Sequence, residues 1–340
     1  MQRAVRCAVL GLGRQGYCHA ENIAHRIKDA ELTAVADIGP DVAQKTAAQL
    51  GAKRWTTRAE DLILADEVDA VIVATPTDTH AALAIAAAKA GKALFLEKPL
   101  SLDMDEARRA MDAVRSAGIP CQLGFMRRFD PAYAHARRRI AAGDIGRPLY
   151  IKAISRDPAA PPADYLAASG GIFKDQSIHD YDLARFLMGD EVTEVTGMGS
   201  ILVSEDVERY GDVDQALTFL RFASGAAGDV EAYRNCFYGY DIRTEILGSE
   251  GTFAISGLQQ HGVTLLRSRR SSFEIVPGFL ERFEDAYRLE MQAFVDCVIQ
   301  GTEPSVGALD GCRALEIATA AQLSLERRSP VALERECARA

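Results

Sequence analysis

The sequence predicts an α/β protein with two domains: an N-terminal doubly wound parallel sheet, and a C-terminal α+β domain with a large, mostly antiparallel open sheet. Three observations support this fold class. The chain has 340 residues, more than one hydrophobic core usually supports. Strand-like and helix-like runs alternate up to residue 123, and strands with hairpin signals dominate later. We therefore expect domains at residues 1–123 and 124–340.

The strands of the first domain are predicted from five short apolar runs separated by helical stretches. Pro40 suits the first turn of one helix, and Gly51, Gly91 and Gly118 follow the ends of three helices. Apolar strands joined by crossover helices predict a parallel sheet that is covered on both faces. The runs are Ala4–Leu10, Leu32–Asp37, Ala70–Ala74, Ala93–Leu96 and Pro120–Leu123.

The second domain begins with helices and one strand and continues as strands separated by turns. Ser224-Gly225 and the segment from Gly248 to Gly251 mark hairpins between alternating runs. An antiparallel sheet with helices on one face leaves its other face available for subunit association. The helices are expected near Pro131–Ala142, Asp175–Leu187, Phe283–Ile299 and Leu309–Arg327, with a strand near Leu149–Ser155.

The composition is typical of a globular protein and excludes some partners. Hydrophobic residues make up 48% of the chain, and the formal net charge is -9. A nucleic-acid partner calls for a concentrated basic surface, so we expect none. The seven cysteines include no CxxC pair, which suits reduced thiols in a cytoplasm. We expect no signal peptide, because the apolar start is short and wrongly flanked, and no membrane partner.

A glycine-rich turn directly follows the first apolar run. Gly11 and Gly13 allow a sharp turn and close approach to a pyrophosphate, and Gly16 lets the next helix pack tightly on its strand. Asp37 follows Gly16 by 21 residues, where a carboxylate can accept hydrogen bonds from the ribose hydroxyls. Its neighbour Ile38 is not basic, which favours NAD over NADP. The expected cofactor contacts here are Gly11, Leu12, Gly13, Arg14, Gln15, Asp37 and Ile38.

The segment from Ala74 to His80 lies at the carboxyl end of a predicted strand, where open α/β sheets bind ligands. We expect Thr75, Pro76 and His80 to contact the cofactor, with hydroxyl and backbone groups near the nicotinamide ribose. The alternative is a turn with a helix cap, since Thr77 and Asp78 are good N-cap residues.

Glu97-Lys98-Pro99 ends the next apolar strand. A lysine at a strand end, followed by a proline that fixes the turn, can point into the cofactor crevice. Both Glu97 and Lys98 are therefore expected near the cofactor. The alternative is a weak surface ion pair between these two neighbours.

The segment from Gly170 to Asp182 carries a histidine between acids. If a helix begins near Asp175, then Asp175, His179 and Asp182 share one face. A carboxylate one turn from an imidazole can fix its tautomer and stabilise its protonated form, as a general base requires. A surface pair and a metal site are the alternatives. Because no other His or Cys lies nearby in sequence, we expect no metal.

Taken together, GLGRQG with Asp37, ATPTDTH, EKP and GGIFKDQSIHDYD resemble the Gfo/Idh/MocA family of oxidoreductases, and the resemblance covers nearly the whole chain. The segments Gly124–Pro131, Ser155–Pro158 and Tyr238–Asp241 look most like the inositol 2-dehydrogenases of that family. The resemblance implies a Rossmann domain, a second α/β domain with an open antiparallel sheet, and a homo-oligomer, tetramer or dimer, joined through sheet faces.

The resemblance also implies site residues. It places Lys98, Asp175 and His179 in the catalytic group, which agrees with the need for a base and a positive charge at one alcohol oxygen. His179 would take the proton, Lys98 would stabilise the alkoxide, and Asp175 would orient His179. The expected substrate-binding residues are Lys98, Arg127, Asp157, Asp175, His179, Asp182 and Tyr238.

The implied activity is NAD-dependent oxidation of a secondary hydroxyl of a cyclic polyol, with myo-inositol converted to an inosose. Relatives within the family oxidise aldoses or use a retained NAD to cleave glycosides, so an aldose dehydrogenase and an NAD-retaining glycosidase are the alternatives. A nucleotide-binding sensor without turnover is a third reading. The presence of Lys98, Asp175 and His179 opposes it, because a binder needs no matched base and cation.

Overall fold

The computed structural model describes residues 3–333 and divides into two compact units. The first comprises Met1–Met126 with Asp285–Leu315, and the second comprises Arg127–Glu284 with Glu316–Ala340. The predicted division into two continuous domains at residue 123 does not include residues 285–315, where the chain rejoins the first unit. The reason is packing: Met291, Phe294 and Val295 are buried in the apolar core of the first unit. Helical periodicity predicts that such residues face a core but cannot say which core.

The first unit contains a six-stranded parallel sheet in the order β3-β2-β1-β4-β5-β6, as the alternating pattern predicts. Its central strands are almost completely buried, which explains their continuous apolar runs. The strands are β1 (Val5–Leu10), β2 (Ala30–Ala36), β3 (Arg54–Thr56), β4 (Ala70–Val73), β5 (Ala93–Glu97) and β6 (Cys121–Gly124).

Five helices connect these strands and keep the sheet parallel. The predicted punctuation holds for three of them: Pro40 opens the second, and Gly51, Gly91 and Gly118 follow the second, fourth and fifth in the left-handed region. They are α1 (Arg14–His25), α2 (Pro40–Leu50), α3 (Ala59–Ile63), α4 (His80–Lys89) and α5 (Met104–Ala117).

The second unit is built on a seven-stranded sheet in the order β12-β11-β7-β10-β9-β8-β15. All neighbouring strands are antiparallel except β7 and β10, so the predicted, mostly antiparallel sheet is confirmed. Two further strands form a separate hairpin. The strands are β7 (Pro148–Arg156), β8 (Val192–Ser200), β9 (Gln215–Phe222), β10 (Ala227–Tyr233), β11 (Asp241–Gly248), β12 (Thr252–Ser256), β13 (Leu265–Arg267), β14 (Arg270–Ser272) and β15 (Val331–Ala332).

Helices of the second unit pack on one face of this sheet, and exposed apolar residues lie on its strands, among them Met198 on β8 and Phe219 on β9. Two long helices near the end of the chain lie close to their predicted bounds, α11 (Glu284–Gln300) and α12 (Ala308–Arg327). Within residues 3–333, no helix combines the length and apolar character needed to cross a bilayer. The earlier helices are α6 (Pro131–Ala141), α7 (Ala163–Ser169), α8 (Ile172–Asp175), α9 (Ile178–Met188) and α10 (Phe279–Arg282).

Candidate active site

Two glycines of the first loop are required by close backbone contacts. Gly11 has φ of +85°, and a Cβ there would lie 2.6 Å from the carbonyl oxygen of Ala74. A Cβ on Gly16 would lie 1.9 Å from the carbonyl oxygen of Gly11. Any side chain at either position would push the loop away from β4 or from α1. The sequence-based roles of both glycines therefore agree with the packing.

Gly13 differs because a Cβ there would meet no protein atom within 4 Å. It is the N-cap of α1, and among the described residues no side chain caps this helix end. The first turn of α1 reads Arg-Gln-Gly-Tyr and brings no carboxylate. The helix N-terminus therefore presents N–H groups and a positive dipole end to an anion. The space at Gly13 and these donors fit the pyrophosphate of NAD.

Asp37, the predicted acceptor for the ribose hydroxyls, also holds the loop in place. Its Oδ2 accepts a hydrogen bond from the Leu12 N–H at 2.8 Å, and its Oδ1 accepts one from the Gly39 N–H at 2.9 Å. Both oxygens retain lone pairs for the ribose hydroxyls, because each carboxylate oxygen accepts more than one bond. Ile38 is 90% exposed, which leaves an apolar side chain where NADP would need a cation. Sequence reasoning missed the bracing role.

His80 is held inside the fold. Its ring is buried, with Nδ1 2.7 Å from the carbonyl oxygen of Pro99 and Nε2 2.9 Å from that of Thr75. Burial lowers the pKa of this histidine. His80 thus links the loop after β4 to the turn after β5, which sequence reasoning did not foresee. Direct contact with the cofactor remains a prediction for Thr75, Pro76 and His80. Both ring nitrogens of His80 already lie within hydrogen-bond distance of protein carbonyl oxygens.

The turn after β5 carries Lys98. The Lys98–Pro99 peptide bond is cis, and Pro99 and Leu100 are buried beneath it. The preceding carboxylate of Glu97 lies 2.6 Å from Nε2 of His19 on α1. Glu97, expected to contact the cofactor, therefore has a buried partner within its own unit.

Glu97 and His19 belong to a buried cluster with Glu290 on α11. One potential ligand atom of each residue lies within 4.8 Å of the other two. Among residues 3–333, these three side chains are close enough together to hold a metal ion. Burial, together with the neighbouring Glu97, raises the pKa of Glu290 well above its ordinary value. No sequence signal joined these residues, because they lie on three distant segments.

The predicted helix from Asp175 to Leu187 is wrong at its start. Asp175 ends the short helix α8, and α9 begins at Ile178. The Ser177 N–H donates to the carbonyl oxygen of Ile172, one residue beyond the α-helical pattern. Gln176 and Ser177 nevertheless keep right-handed helical dihedral angles. Asp175 and His179 therefore remain about one turn apart, as the sequence hypothesis requires.

Two predicted substrate contacts are engaged in buried ion pairs. The Arg127 guanidinium donates to Asp180 at 2.5 Å and to the Ser155 hydroxyl at 3.0 Å. Arg128 binds both oxygens of Asp182, at 2.5 and 2.8 Å. Because a carboxylate oxygen accepts more than one bond, the pair with Arg128 leaves acceptor capacity on Asp182, and contact of Arg127 or Asp182 with a polyol stays a prediction. Buried structural pairs and substrate clamps use the same residue types, so sequence alone could not separate the two roles.

Asp157 and Tyr238 lie near the end of β7 and are only partly buried. The Tyr238 hydroxyl donates to Asp241 at 2.6 Å and accepts from Arg156 at 2.6 Å. Burial and the Asp241 carboxylate raise the pKa of Tyr238 to about 12, so it stays a hydroxyl at neutral pH. Lys98 belongs to the first unit and Asp175, His179, Asp157 and Tyr238 to the second, so their convergence on one ring remains a prediction.

Comparison with known proteins identifies the family of both parts of the chain. The Gfo/Idh/MocA model described as "Oxidoreductase family, NAD-binding Rossmann fold" matches residues 5–125. The model described as "Oxidoreductase family, C-terminal alpha/beta domain" matches residues 137–333. Together the two matches span almost all of the described chain.

Individual relatives are similar over their full length. A scyllo-inositol 2-dehydrogenase (NAD(+)) of Bacillus subtilis is 49% identical, covering 98% of both chains. A myo-inositol 2-dehydrogenase of Thermotoga maritima is 42% identical, covering 97% of this chain and 99% of that protein. A crystal structure of scyllo-inositol dehydrogenase from Lactobacillus casei with bound NAD(H) and scyllo-inositol superposes with a TM-score of 0.92 at 30% identity, covering 97% of this chain and 99% of that chain. The chain therefore belongs to the Gfo/Idh/MocA family and is an oxidoreductase that binds NAD through its first unit.

Proposed function

We propose that this protein is an NAD-dependent dehydrogenase that oxidises one ring hydroxyl of an inositol, with myo-inositol converted to an inosose. The observation that carries the proposal is the set of polar side chains at positions 98, 175 and 179 in a chain whose full-length relatives are named inositol dehydrogenases. The glycine loop and Asp37 supply the matching nucleotide site.

The proposed chemistry assigns one task to each side chain. Bound NAD supplies the carbon that accepts the hydride. His179 takes the hydroxyl proton, and the ammonium of Lys98 stabilises the negative charge that develops on the same oxygen. Asp175 orients the imidazole and stabilises its protonated form. Lys98 belongs to the first unit, and Asp175 and His179 belong to the second.

Asp157 and Tyr238 are the proposed contacts to the remaining ring hydroxyls. Both are partly accessible, in contrast to Arg127 and Asp182, which are engaged in buried ion pairs. A polyol ring offers donors and acceptors at every carbon. The Asp157 carboxylate can accept from its hydroxyls, while Tyr238 would exchange its bond with Asp241 or Arg156 for one with the ring. Arg127 and Asp182, whose ion pairs fix their positions, stay predicted contacts of the substrate.

Scyllo-inositol is a second candidate, because the relative with 49% identity carries that name. The two isomers differ in configuration at one carbon, and oxidation there yields the same ketone from either. Reduction of this ketone with NADH, followed by chromatographic separation of the two inositols, therefore reports which ring face receives the hydride. If the product is mainly myo-inositol, the result supports the proposal. If it is mainly scyllo-inositol, the result favours scyllo-inositol as the substrate.

The activity test measures NADH absorbance with purified protein, NAD and each inositol isomer. Lys98→Ala and His179→Ala are expected to lower kcat by at least about 100-fold while the circular dichroism spectrum stays unchanged, and NADH binding should stay unchanged in His179→Ala. Aldoses and glycosides are assayed in parallel, with free sugar monitored. Oxidation of an aldose without oxidation of any inositol, or release of sugar without net NADH, would replace the proposal by one of those activities.

We further propose that the protein self-associates through the open face of the second unit's sheet. Met198 and Phe219 are 54% and 44% exposed there, which leaves large apolar side chains in water on adjacent strands. Light scattering should give a mass of two or more chains, and Phe219→Glu should lower this mass. A wild-type protein that is monomeric at micromolar concentration would contradict this arrangement.

A further inference from the structure

We propose that Arg234 and Tyr165 are positioning residues that hold the two carboxylate oxygens of Asp175 and thereby set how strongly Asp175 attracts the proton of His179. The inference rests on the proposed function, in which His179 is the base. It concerns side chains that no sequence motif singled out. They reach Asp175 from outside the α8–α9 segment.

Arg234 is a completely buried guanidinium that follows β10. Its Nη2 donates to Oδ2 of Asp175 at 3.3 Å, and its Nη1 donates to Oδ2 of Asp212. A cation is costly to bury without such partners, so the guanidinium is fixed where the two acids meet. The Asp175 side chain retains 15% exposure, compared with 3% for Asp212. Of the two acids, Asp175 is therefore the one that remains accessible to solvent.

Asp212 has a second bond that explains its place. Its Oδ1 accepts the Ile172 N–H at 2.8 Å, which satisfies a donor at the beginning of α8. Asp175 is the last residue of the same short helix. The Asp212–Arg234 pair therefore holds α8 at its start and at its end. This fixes the backbone from which the Asp175 side chain extends.

Tyr165 completes the environment of Asp175 from α7. Its hydroxyl donates to Oδ1 of Asp175 at 2.7 Å, and the ring is 48% exposed. The charged and titratable groups around Asp175 include Tyr165 from α7 and Arg234 after β10, with Asp212 before β9 sharing the guanidinium and His179 about one turn away on α9. Both carboxylate oxygens accept bonds from donors that the proposed reaction does not use.

These two donors have a predictable electrostatic effect. Hydrogen bonds to a carboxylate stabilise its negative charge and reduce its attraction for another proton. An Asp175 whose charge is already stabilised by Tyr165 and Arg234 therefore stabilises protonated His179 less. His179 must be neutral to accept the substrate proton, so the donors extend activity toward lower pH. Removing one donor should move the acid limb of the pH profile of kcat/KM upward.

Tyr165→Phe is the first test, because the residue is exposed and the change removes one hydroxyl. We expect the acid limb of kcat/KM to move up by about 0.5 pH unit, with NADH binding unchanged. Tyr150→Phe is the matched control, since its hydroxyl donates to Asp229, on the sheet and outside the proposed site. An acid limb that stays in place for Tyr165→Phe, or that moves equally for Tyr150→Phe, would overturn the inference.

The second test removes the cation without leaving an unpaired buried acid. In Arg234→Met with Asp212→Asn, the amide oxygen of Asn can still accept the Ile172 N–H. The double variant leaves the net charge unchanged but removes the cation bonded directly to Asp175, so we expect the acid limb to move up by about 0.5–1 pH unit. A folded double variant with the wild-type pH profile would contradict a positioning role for Arg234.

A readout that needs no turnover separates this inference from the proposed function. The pH at which the His179 imidazole titrates can be followed by NMR, with the signal assigned by its loss in His179→Gln. Tyr165→Phe should raise that pH even if no inositol is oxidised. If inositol is oxidised but the His179 titration is the same in both proteins, the positioning role fails while the proposed function stands.

Discussion

Gly13→Ala separates nucleotide binding from folding. The backbone at Gly13 has φ of -63° and ψ of -174°, which alanine adopts readily. Its Cβ would meet no protein atom within 4 Å, so the folded protein accommodates it. Loss of a glycine N-cap costs about 0.5–1 kcal/mol, and the smaller entropy of the unfolded chain offsets about 0.4–1 kcal/mol. The free energy of unfolding should therefore change by less than about 1 kcal/mol.

The same methyl group occupies the space expected for the pyrophosphate. We expect NADH affinity to fall at least about tenfold, equivalent to about 1.4 kcal/mol, measured by titration of NADH fluorescence. Gly16→Ala is the contrasting variant, because its Cβ would lie 1.9 Å from the carbonyl oxygen of Gly11. It should lower the free energy of unfolding by about 1–3 kcal/mol. A Gly13→Ala protein that binds NADH like the wild type would refute this placement of the pyrophosphate.

Asp37→Ala should weaken NAD binding at least about tenfold and reduce the preference for NAD over NADP, because it removes the predicted ribose acceptor and the acceptor for the Leu12 N–H. Paired titrations with NAD and NADP measure both effects. An unchanged preference for NAD would show that Asp37 does not select between the two nucleotides. For Glu290, the raised pKa means that the free energy of unfolding falls as pH rises from the ordinary value of 4.5 toward the pKa of the folded protein, by about 1.4 kcal/mol for each pH unit in that interval. Urea titrations at several pH values should show that the free energy of unfolding depends less on pH in Glu290→Gln than in the wild type. The same pH dependence in both proteins would contradict this prediction.

Most of the parallel sheet was predictable because its strands are buried on both faces and therefore read as apolar runs. β3 escaped prediction because Arg54 and Trp55 are exposed and its three residues carry no apolar pattern. The seven-stranded sheet was predictable from turn residues and alternation, while its strand order depends on contacts between distant segments.

The candidate site divides in the same way. The glycine loop, Asp37, Lys98 and the Asp175–His179 pair carry local signals of type and spacing. Partners far away in sequence carry none, so the contacts of Arg234 with Asp175 and of Glu97 with His19 appear only in the fold. Whether a buried polar residue serves the structure or the ligand is decided by its three-dimensional neighbours.

Because α11 contributes to the core of the first unit, that unit cannot be obtained by cutting the chain once. A fragment ending at Met126 would lack Met291, Phe294 and Val295 and would leave Phe95 without part of its cover. Exposed apolar surface of this kind promotes aggregation. The core of the first unit is therefore complete only once α11 has been synthesised, within the last quarter of the chain.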